Sequence, residues 1–140
     1  MGYLLDTCAL SELVSKFPHL PARSVLVSLP RSEIHLSIIT VGEVHAGIVE
    51  MTDCPRKNFL IKWFNDHVLG LYLEHTFHID HAIALRWGTM LADLRARGKT
   101  MPESDSLIAA TALVHDLSVV TRNEAHFANS GVRILNPWKS

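Results

Sequence analysis

The sequence predicts an α/β fold in which a mainly parallel sheet is covered by helices on both faces. Short apolar runs alternate along the chain with segments of helical periodicity, and Asp, Pro or Gly residues separate them. Strands that alternate with helices imply crossover connections, which place helices on the faces of a parallel sheet. The 140 residues match the usual size of a domain, so we expect residues 1–140 to form a single domain.

The elements of the first half follow from apolar runs and from the residues that bound them. In chain order, we expect a strand at 3–5, helices at 11–17 and 23–29, a strand at 34–38 and a helix from 40 to about 51. Pro18 and Pro30 would end the two early helices. Thr40 and Glu43 have the spacing of a capping box, which places the start of the fifth element at Thr40.

The second half continues the alternation, with helix-start signals in front of most helical segments. We expect a helix from 55 to about 68, an extended segment at 73–79, a helix at 81–98, a helix from 104 or 105 to 115, a strand at 118–121, a short helix at 124–127 and a strand at 132–135. Pro55 suits a first helical position, Asp80 an N-cap and Gly98 a helix end.

Composition restricts the protein class more than the function. Hydrophobic residues make up 48% and charged residues 19%, which is typical of a globular chain. Apolar runs such as residues 69–73 are much shorter than the roughly 20 residues that span a bilayer. The beginning carries no basic segment before Asp6, and Cys8 and Cys54 are far apart, so we expect a cytoplasmic protein without disulfides. The net charge of -1 is low for a dedicated nucleic-acid module.

Three acids occupy comparable positions, where the chain leaves the predicted sheet. Asp6 directly follows the first strand, Glu43 lies one turn into the helix after the second, and Asp105 begins an apolar helix. Each alone could be an Asx-turn, capping-box or N-cap residue. Together at one sheet edge they would repel one another unless a cation joined them. Carboxylate oxygens suit Mg²⁺ or Mn²⁺, which can activate a water and clamp a phosphodiester.

Five segments resemble the motifs of PIN-domain ribonucleases in order and spacing over essentially the whole chain. They are residues 1–12 (MGYLLDTCALSE), 37–43 (SIITVGE), 101–112 (MPESDSLIAATA), 120–123 (VTRN) and 136–138 (NPW). The resemblance extends to the VapC-type toxins of toxin–antitoxin pairs, including the FitB-like branch. It implies a PIN-like α/β/α sandwich and a type II toxin that hydrolyses RNA phosphodiester bonds through a Mg- or Mn-bound water. It also implies a homodimer, a cognate antitoxin and contact with DNA only through that antitoxin.

Carried onto this chain, the resemblance makes Asp6, Glu43 and Asp105 the metal-binding acids. The position of a fourth acid falls on Asn123 in one branch and on His126 in another, and neither residue is a carboxylate. Asn123 could hold a metal-bound water instead, and Glu124 could reach the site. The departure leaves open the number of ions and an alternative function, a weak or silent module that binds an antitoxin or RNA.

Residues around these acids have open interpretations. Thr121 could orient the attacking water or simply end a strand, and Cys8 replaces an asparagine that the family uses to support the site. A phosphotransferase that used Asp6 as its nucleophile would need a second acid two residues later. Cys8 occupies that position, which counts against this activity. Glu12 could reach the site or be a solvated helix charge. Arg122 lies nearer to the site than the other candidate phosphate contacts.

Two further clusters favour structural roles. Arg95, Arg97 and Lys99 surround a helix C-terminus, where cations complement the helix dipole, although they could also contact RNA phosphates. His75, His78 and His81 do not have a spacing that converges on a tetrahedral zinc site.

Overall fold

β1 lies at the centre of a five-stranded sheet in which every paired neighbour is parallel. A computed structural model describes residues 2–139 and gives the strand order β3-β2-β1-β4-β5. The strands are β1 Gly2–Leu5, β2 Ile34–Ser37, β3 Thr76–Phe77, β4 Leu117–Val120 and β5 Ile134–Leu135. The predicted α/β/α architecture is confirmed, and the expected "mainly parallel" sheet is parallel throughout.

Helices cover the two faces of this sheet. They are α1 Thr7–Glu12, α2 Leu20–Ser28, α3 Ile38–Val49, α4 Pro55–Trp63, α5 His81–Ala96, α6 Glu103–His115 and α7 Glu124–Phe127. Short 3-10 turns cover Arg31–Glu33 and Leu73–His75, and a π-helical turn at Phe64–Leu69 continues α4. Within residues 2–139, no helix is both long and apolar enough to cross a membrane.

Leu4 and Leu5, consecutive residues of β1, belong to two separate hydrophobic cores. Leu4 packs with buried residues of α5 and α6, whereas Leu5 packs with those of α1, α2 and α3. This division follows from the strand geometry, in which successive side chains point to opposite faces. Burying each leucine stabilises the fold by about 1.5–3 kcal/mol, so β1 is held from both sides.

Four predicted helix starts are wrong. The first helix begins at Thr7 rather than at residue 11, because the Asp6 side chain caps it, and it ends at Glu12, so Pro18 does not end it. The second begins at Leu20 rather than at residue 23, because the His19 side chain caps it. The helix after β2 begins at Ile38, capped by the Ser37 hydroxyl, so Thr40 is an interior residue and forms no capping box with Glu43. The Thr40 hydroxyl is buried and has no hydrogen-bond partner among residues 2–139.

The fourth wrong start is that of α6, which begins at Glu103 after Pro102. Asp105 therefore lies in the first helical turn, where an acid still suits the helix dipole, rather than at the N-cap. The other signals are confirmed, since α4 begins at Pro55, Asp80 caps α5 through a hydrogen bond from the Ile83 amide, and Gly98 has a left-handed φ of 65°.

The histidines considered for zinc have another arrangement. Among residues 2–139, no three histidine, cysteine, aspartate or glutamate side chains are grouped so that they could hold a metal ion. His75 instead stacks on His35 with ring centroids 5.1 Å apart, and its Nδ1 lies 3.0 Å from the Ile34 carbonyl oxygen. Phe77 stacks on both His35 and His115. These rings form a stack that extends from β2 and β3 to the end of α6 and is called the histidine stack below; its members are His35, His75, Phe77 and His115.

Candidate active site

Asp6 is the buried centre of the candidate site, with 5% of its surface exposed. Its backbone amide still pairs with β4, donating to the Val120 carbonyl at 3.1 Å, so the side chain begins where the sheet ends. Oδ1 accepts hydrogen bonds from the Ala9 amide and from the Cys8 thiol, both at 2.9 Å. Burial raises the pKa of Asp6, and hydrogen bonds from Cys8, Thr121 and Ala9 oppose that rise.

Cys8 supports Asp6 in place of the amide that the family resemblance led us to expect. Burial and then the Asp6 charge raise the pKa of the Cys8 thiol to about 11, so the sulfur keeps its proton at neutral pH. A protonated thiol can donate to the carboxylate, as an amide would. Sγ also accepts a 3.4 Å hydrogen bond from the Arg122 amide, which ties the end of β4 to the start of α1.

Thr121 lies at the end of β4, next to Asp6, and is fully buried. Its amide donates to the Leu135 carbonyl at 3.1 Å, and its hydroxyl accepts the Asn123 amide at 2.9 Å. The Asn123 side chain itself makes no hydrogen bond within residues 2–139 and does not cap α7. The hydroxyl lies 3.9 Å from Cys8 Sγ.

Glu43 extends from α3 into solvent beside the start of α1. The Thr7 hydroxyl donates to its Oε1 at 2.6 Å, across 36 positions of sequence. Thr7 is a site residue that was not predicted, although its place directly after Asp6 at a strand end was the available signal. This contact orients the Glu43 carboxylate toward the end of β1.

Asp105 is half-buried in the first turn of α6 and pairs with His126 of α7. Its Oδ2 lies 2.9 Å from His126 Nδ1. Burial raises the pKa of Asp105, the contact with His126 lowers it, and the negative charges of Asp6 and Glu43 raise it again. The three predicted acids are thus close enough to interact electrostatically, which agrees with their expected meeting at one sheet edge.

The acids do not form a metal-binding cluster with their side chains as oriented. Within residues 2–139, no three acidic, histidine or cysteine side chains are grouped tightly enough for an ion. Glu43 is turned toward Thr7 and Asp105 toward His126. The predicted ligand set Asp6, Glu43 and Asp105 therefore stays a prediction.

Glu124 is bound away from the acids. Its Oε2 accepts a hydrogen bond from the Asn136 amide group at 2.9 Å and lies 3.3 Å from Lys139 Nζ. These contacts lower the pKa of Glu124. The side chain therefore links α7 to the C-terminal segment and does not supply a fourth carboxylate to the site.

An open groove of about 760 Å³ begins beside the acids. Thr7, Cys8 and Glu43 line one part of it, and Arg122 and Trp138 also belong to its lining. Apolar residues form much of the remainder, namely Val14, Phe17, Val44, Ile48, Met51, Leu60 and Trp63. Arg97, one of the more distant basic candidates, instead pairs with Asp93 at 2.8 Å and donates to the Asn129 carbonyl.

Glu12 also lines the groove, with only 8% of its surface exposed, so its interpretation as a solvated helix charge is wrong. Its carboxylate accepts hydrogen bonds from the His19 amide at 3.3 Å and from Trp138 Nε1 at 3.3 Å. Its backbone carbonyl accepts from Arg23 at 2.6 Å. Glu12 therefore joins α1, α2 and the C-terminal segment.

Comparisons with known proteins bear on the family and the fold of this chain. The family model for the PIN domain matches residues 3–131. The chain is 31% identical over 135 residues to Toxin FitB of Neisseria gonorrhoeae, covering 96% of this chain and 97% of the relative. It is 28% identical over 136 residues to VapC ribonuclease Y4jK of Sinorhizobium fredii, covering 97% of both. The crystal structure of FitAcB from Neisseria gonorrhoeae superposes with a TM-score of 0.93 at 30% identity, covering 99% of both chains.

Proposed function

The chain belongs to the PIN-domain family, and from that premise we propose that it is a Mg²⁺- or Mn²⁺-dependent endoribonuclease, the toxin of a type II toxin–antitoxin pair. Relatives that align over nearly their whole length include one named a toxin and one named a ribonuclease. The observation that carries the proposal is the position of Asp105 near Asp6 and Glu43 at the edge of the sheet, close enough for the charges of those two acids to raise its pKa. A surplus of negative charge there suits a cation and is unfavourable without one.

The chemistry of the donor set fits a hard divalent ion. Asp6, Glu43 and Asp105 offer carboxylate oxygens, the ligands that Mg²⁺ and Mn²⁺ prefer. Binding would require Glu43 and Asp105 to exchange their present partners, Thr7 and His126, for the ion. When bound, the ion would supply an activated water and positive charge for the phosphodiester.

The protein's own residues would hold the site in position. Asp6 is fixed by the Ala9 amide and the Cys8 thiol, so its orientation is set before any ligand arrives. Thr121 is buried beside it and could hold a water through its hydroxyl. Asn123 follows Thr121, and its side-chain amide, which makes no hydrogen bond within residues 2–139, could donate to a phosphate oxygen or orient a water.

Regulation by a partner follows from the same proposal. An acidic site with an adjoining apolar groove suits an antitoxin segment that places a basic side chain near the carboxylates. We expect this antitoxin to make any contact with DNA, and we expect the toxin to act as a cytoplasmic homodimer.

The test is cleavage of labelled total RNA by purified, antitoxin-free protein with Mg²⁺, Mn²⁺ or a chelator. Asp6→Asn and Asp105→Asn should abolish cutting, because each removes a proposed ligand. Asp93→Asn is the matched control, since Asp93 is an exposed acid on α5 whose side chain pairs with Arg97 and, within residues 2–139, with no other cation. Metal-dependent cleavage by the wild type and by Asp93→Asn, with none by Asp6→Asn or Asp105→Asn, would support the proposal.

The alternative is a module that binds RNA or an antitoxin without cutting. Asn123 and His126 favour it, because neither supplies the fourth carboxylate. Folded wild-type protein that cleaves no RNA with either metal would contradict the ribonuclease and leave this alternative. Cutting that persists in chelator would contradict the metal dependence.

A further inference from the structure

We propose that Arg122 binds a backbone phosphate of the RNA next to the cleaved bond, and that Trp138 of the C-terminal segment positions it. The inference rests on the proposed ribonuclease function and assigns a role to the NPW segment, which the acidic site leaves unexplained. Arg122 and Trp138 line the same groove as Thr7 and Glu43.

The backbone of Arg122 is anchored inside the site. The residue directly follows Thr121, which is fully buried, and its amide donates to Cys8 Sγ at 3.4 Å. The start of the side chain is thereby fixed beside Asp6, while the residue itself is exposed. A long cation that leaves the edge of an anionic site in this way can reach a phosphate next to the one being attacked.

Trp138 limits where the guanidinium can lie. The Arg122 guanidinium carbon lies over the Trp138 ring, 5.5 Å from its centroid. The indole is held in turn, because its Nε1 donates to Glu12 Oε1 at 3.3 Å. Stacking of this kind pre-organises the planar guanidinium without using its donors, which remain available for a bidentate contact with phosphate.

The segment that carries Trp138 is itself fastened to the domain. The Trp138 amide donates to Asn136 Oδ1 at 2.9 Å, and the Asn136 side-chain amide donates to Glu124 at 2.9 Å. The preceding strand, β5, pairs with β4. The ring is therefore presented to Arg122 by a continuous set of contacts from β5 to α1.

Arg122 also keeps its charge unpaired. Within residues 2–139 its guanidinium forms no salt bridge and donates no hydrogen bond, whereas Arg97 and Arg133 pair with Asp93 and Asp116. A stacked cation without an anionic partner suits an external anion. The polyanionic backbone of RNA supplies one, and it must pass close to Glu43 and Asp105 to be cut there.

The experiment measures RNA binding and cleavage by the full chain. Binding of a fluorescein-labelled single-stranded RNA of mixed sequence is followed by anisotropy in chelator at several salt concentrations. Arg122→Gln should weaken binding about tenfold and lower the slope of log K against log salt by about 0.7, the value for one lost phosphate contact. Cleavage with Mn²⁺ should show a raised KM with kcat little changed, as expected for lost uniform binding. Arg86→Gln, the same change at an exposed position of α5 outside the groove, should behave as the wild type.

A double-mutant cycle tests the positioning role of Trp138. Trp138→Leu should weaken RNA binding in the wild type and have little further effect in Arg122→Gln, because the ring acts through the arginine. A merely structural tryptophan would weaken both backgrounds equally, which would overturn this part. If Trp138→Leu does not fold, Trp138→Phe takes its place, since it retains a ring but loses the donor to Glu12.

The remaining outcomes separate this inference from the proposed function. If the wild type cleaves RNA, and if Arg122→Gln binds and cleaves RNA as Arg86→Gln does, this inference is overturned but the proposed function is not. Normal RNA binding by Arg122→Gln, together with lost affinity for the cognate antitoxin, would show that the arginine serves the protein partner and would also overturn it. Wild-type protein that neither binds nor cuts RNA would overturn both.

Discussion

Asp6→Asn should stabilise the folded chain in the absence of divalent ions and at the same time remove the proposed ribonuclease activity. Asp6 is 5% exposed, and burial raises its pKa, so its charged form is disfavoured in the folded state. The charge also acts unfavourably on Asp105. Asparagine keeps an oxygen that can accept from the Ala9 amide and the Cys8 thiol, so the cap of α1 survives while the charge is lost.

The expected size follows from two opposing effects. Removing a function-related unfavourable charge commonly stabilises a protein by about 0.5–2 kcal/mol, whereas losing a negative charge at a helix N-terminus costs about 0.3–1 kcal/mol. The midpoints of these ranges leave a net gain of about 0.6 kcal/mol, which raises Tm by roughly 2 °C for a chain of this size. An ion at one hundred times its Kd would stabilise the wild type by about 2.7 kcal/mol. The order of stability of the two proteins should therefore reverse when metal is added.

The assay is thermal denaturation of both proteins near neutral pH, in chelator and with Mg²⁺ or Mn²⁺, beside RNA cleavage. Cleavage by Asp6→Asn should fall at least about 100-fold, since even indirect supports of a metal site cost 10–100-fold. Asp80→Asn is the matched control, because Asp80 also caps a helix through its side chain, at Ile83, and lies outside the acidic site. The control should lose a little stability and respond to metal as the wild type does.

Two results would refute this reasoning. If Asp6→Asn were less stable than the wild type in chelator, the burial of the charge would not be the dominant effect at this position. If metal raised the Tm of the wild type and Asp6→Asn equally, the ion would be binding elsewhere.

Three further predictions concern residues around the site and the histidine stack. Thr7→Val should lower RNA cleavage about tenfold with little change in Tm, because it removes the hydroxyl that holds Glu43, as measured by initial rates; an unchanged rate would contradict the orienting role. Cys8 should react with iodoacetamide at pH 8 on the order of one hundred times more slowly in the folded than in the denatured protein, because its thiol has a pKa of about 11; equal rates by mass spectrometry would contradict this. Burial, and then the charges of the neighbouring histidines, lower the pKa of His35 in the folded protein. As pH drops below about 6.5, His35 therefore binds a proton more readily in the unfolded chain than in the folded one, and stability should fall. His35→Phe should flatten the dependence of Tm on pH between about 5 and 7, and an unchanged slope would exclude His35 as its source.

The sheet and its acidic edge could be predicted because they follow from local patterns. The apolar run that ends at Asp6 specifies a buried strand and its end together, and parallel order brings the carboxyl ends of strands to one edge. The positions of Glu43 and Asp105 in the helices that follow depend on the same rule. The partners of these two side chains could not be predicted, because Thr7 contacts Glu43 and His126 contacts Asp105 only after the helices have packed.

The predicted helix starts were wrong for a related reason. Ser37 and Thr40 are both good N-cap residues, and the choice depends on where β2 stops. Ser37 is aligned with Phe77 of the edge strand at the last paired position, so the chain turns into α3 there. The contact between Glu12 and Trp138 spans 126 positions, and no periodicity in the sequence could indicate it.

The net charge of -1 is a weak guide to what this protein binds, because screening makes charge a local property. Exposed charges more than about 10 Å apart are largely screened at moderate salt, so a phosphate responds to its immediate neighbours and not to the sum over the chain. The groove lining contains the cations Lys16, Arg56 and Arg122 together with the acids Glu12 and Glu43. In the proposed ribonuclease, these cations would hold the backbone of an RNA while the bond to be cut lies among the metal-binding carboxylates. Under the proposed function, the salt dependence of RNA binding should therefore follow the groove cations and be insensitive to exposed charges elsewhere, such as Arg86.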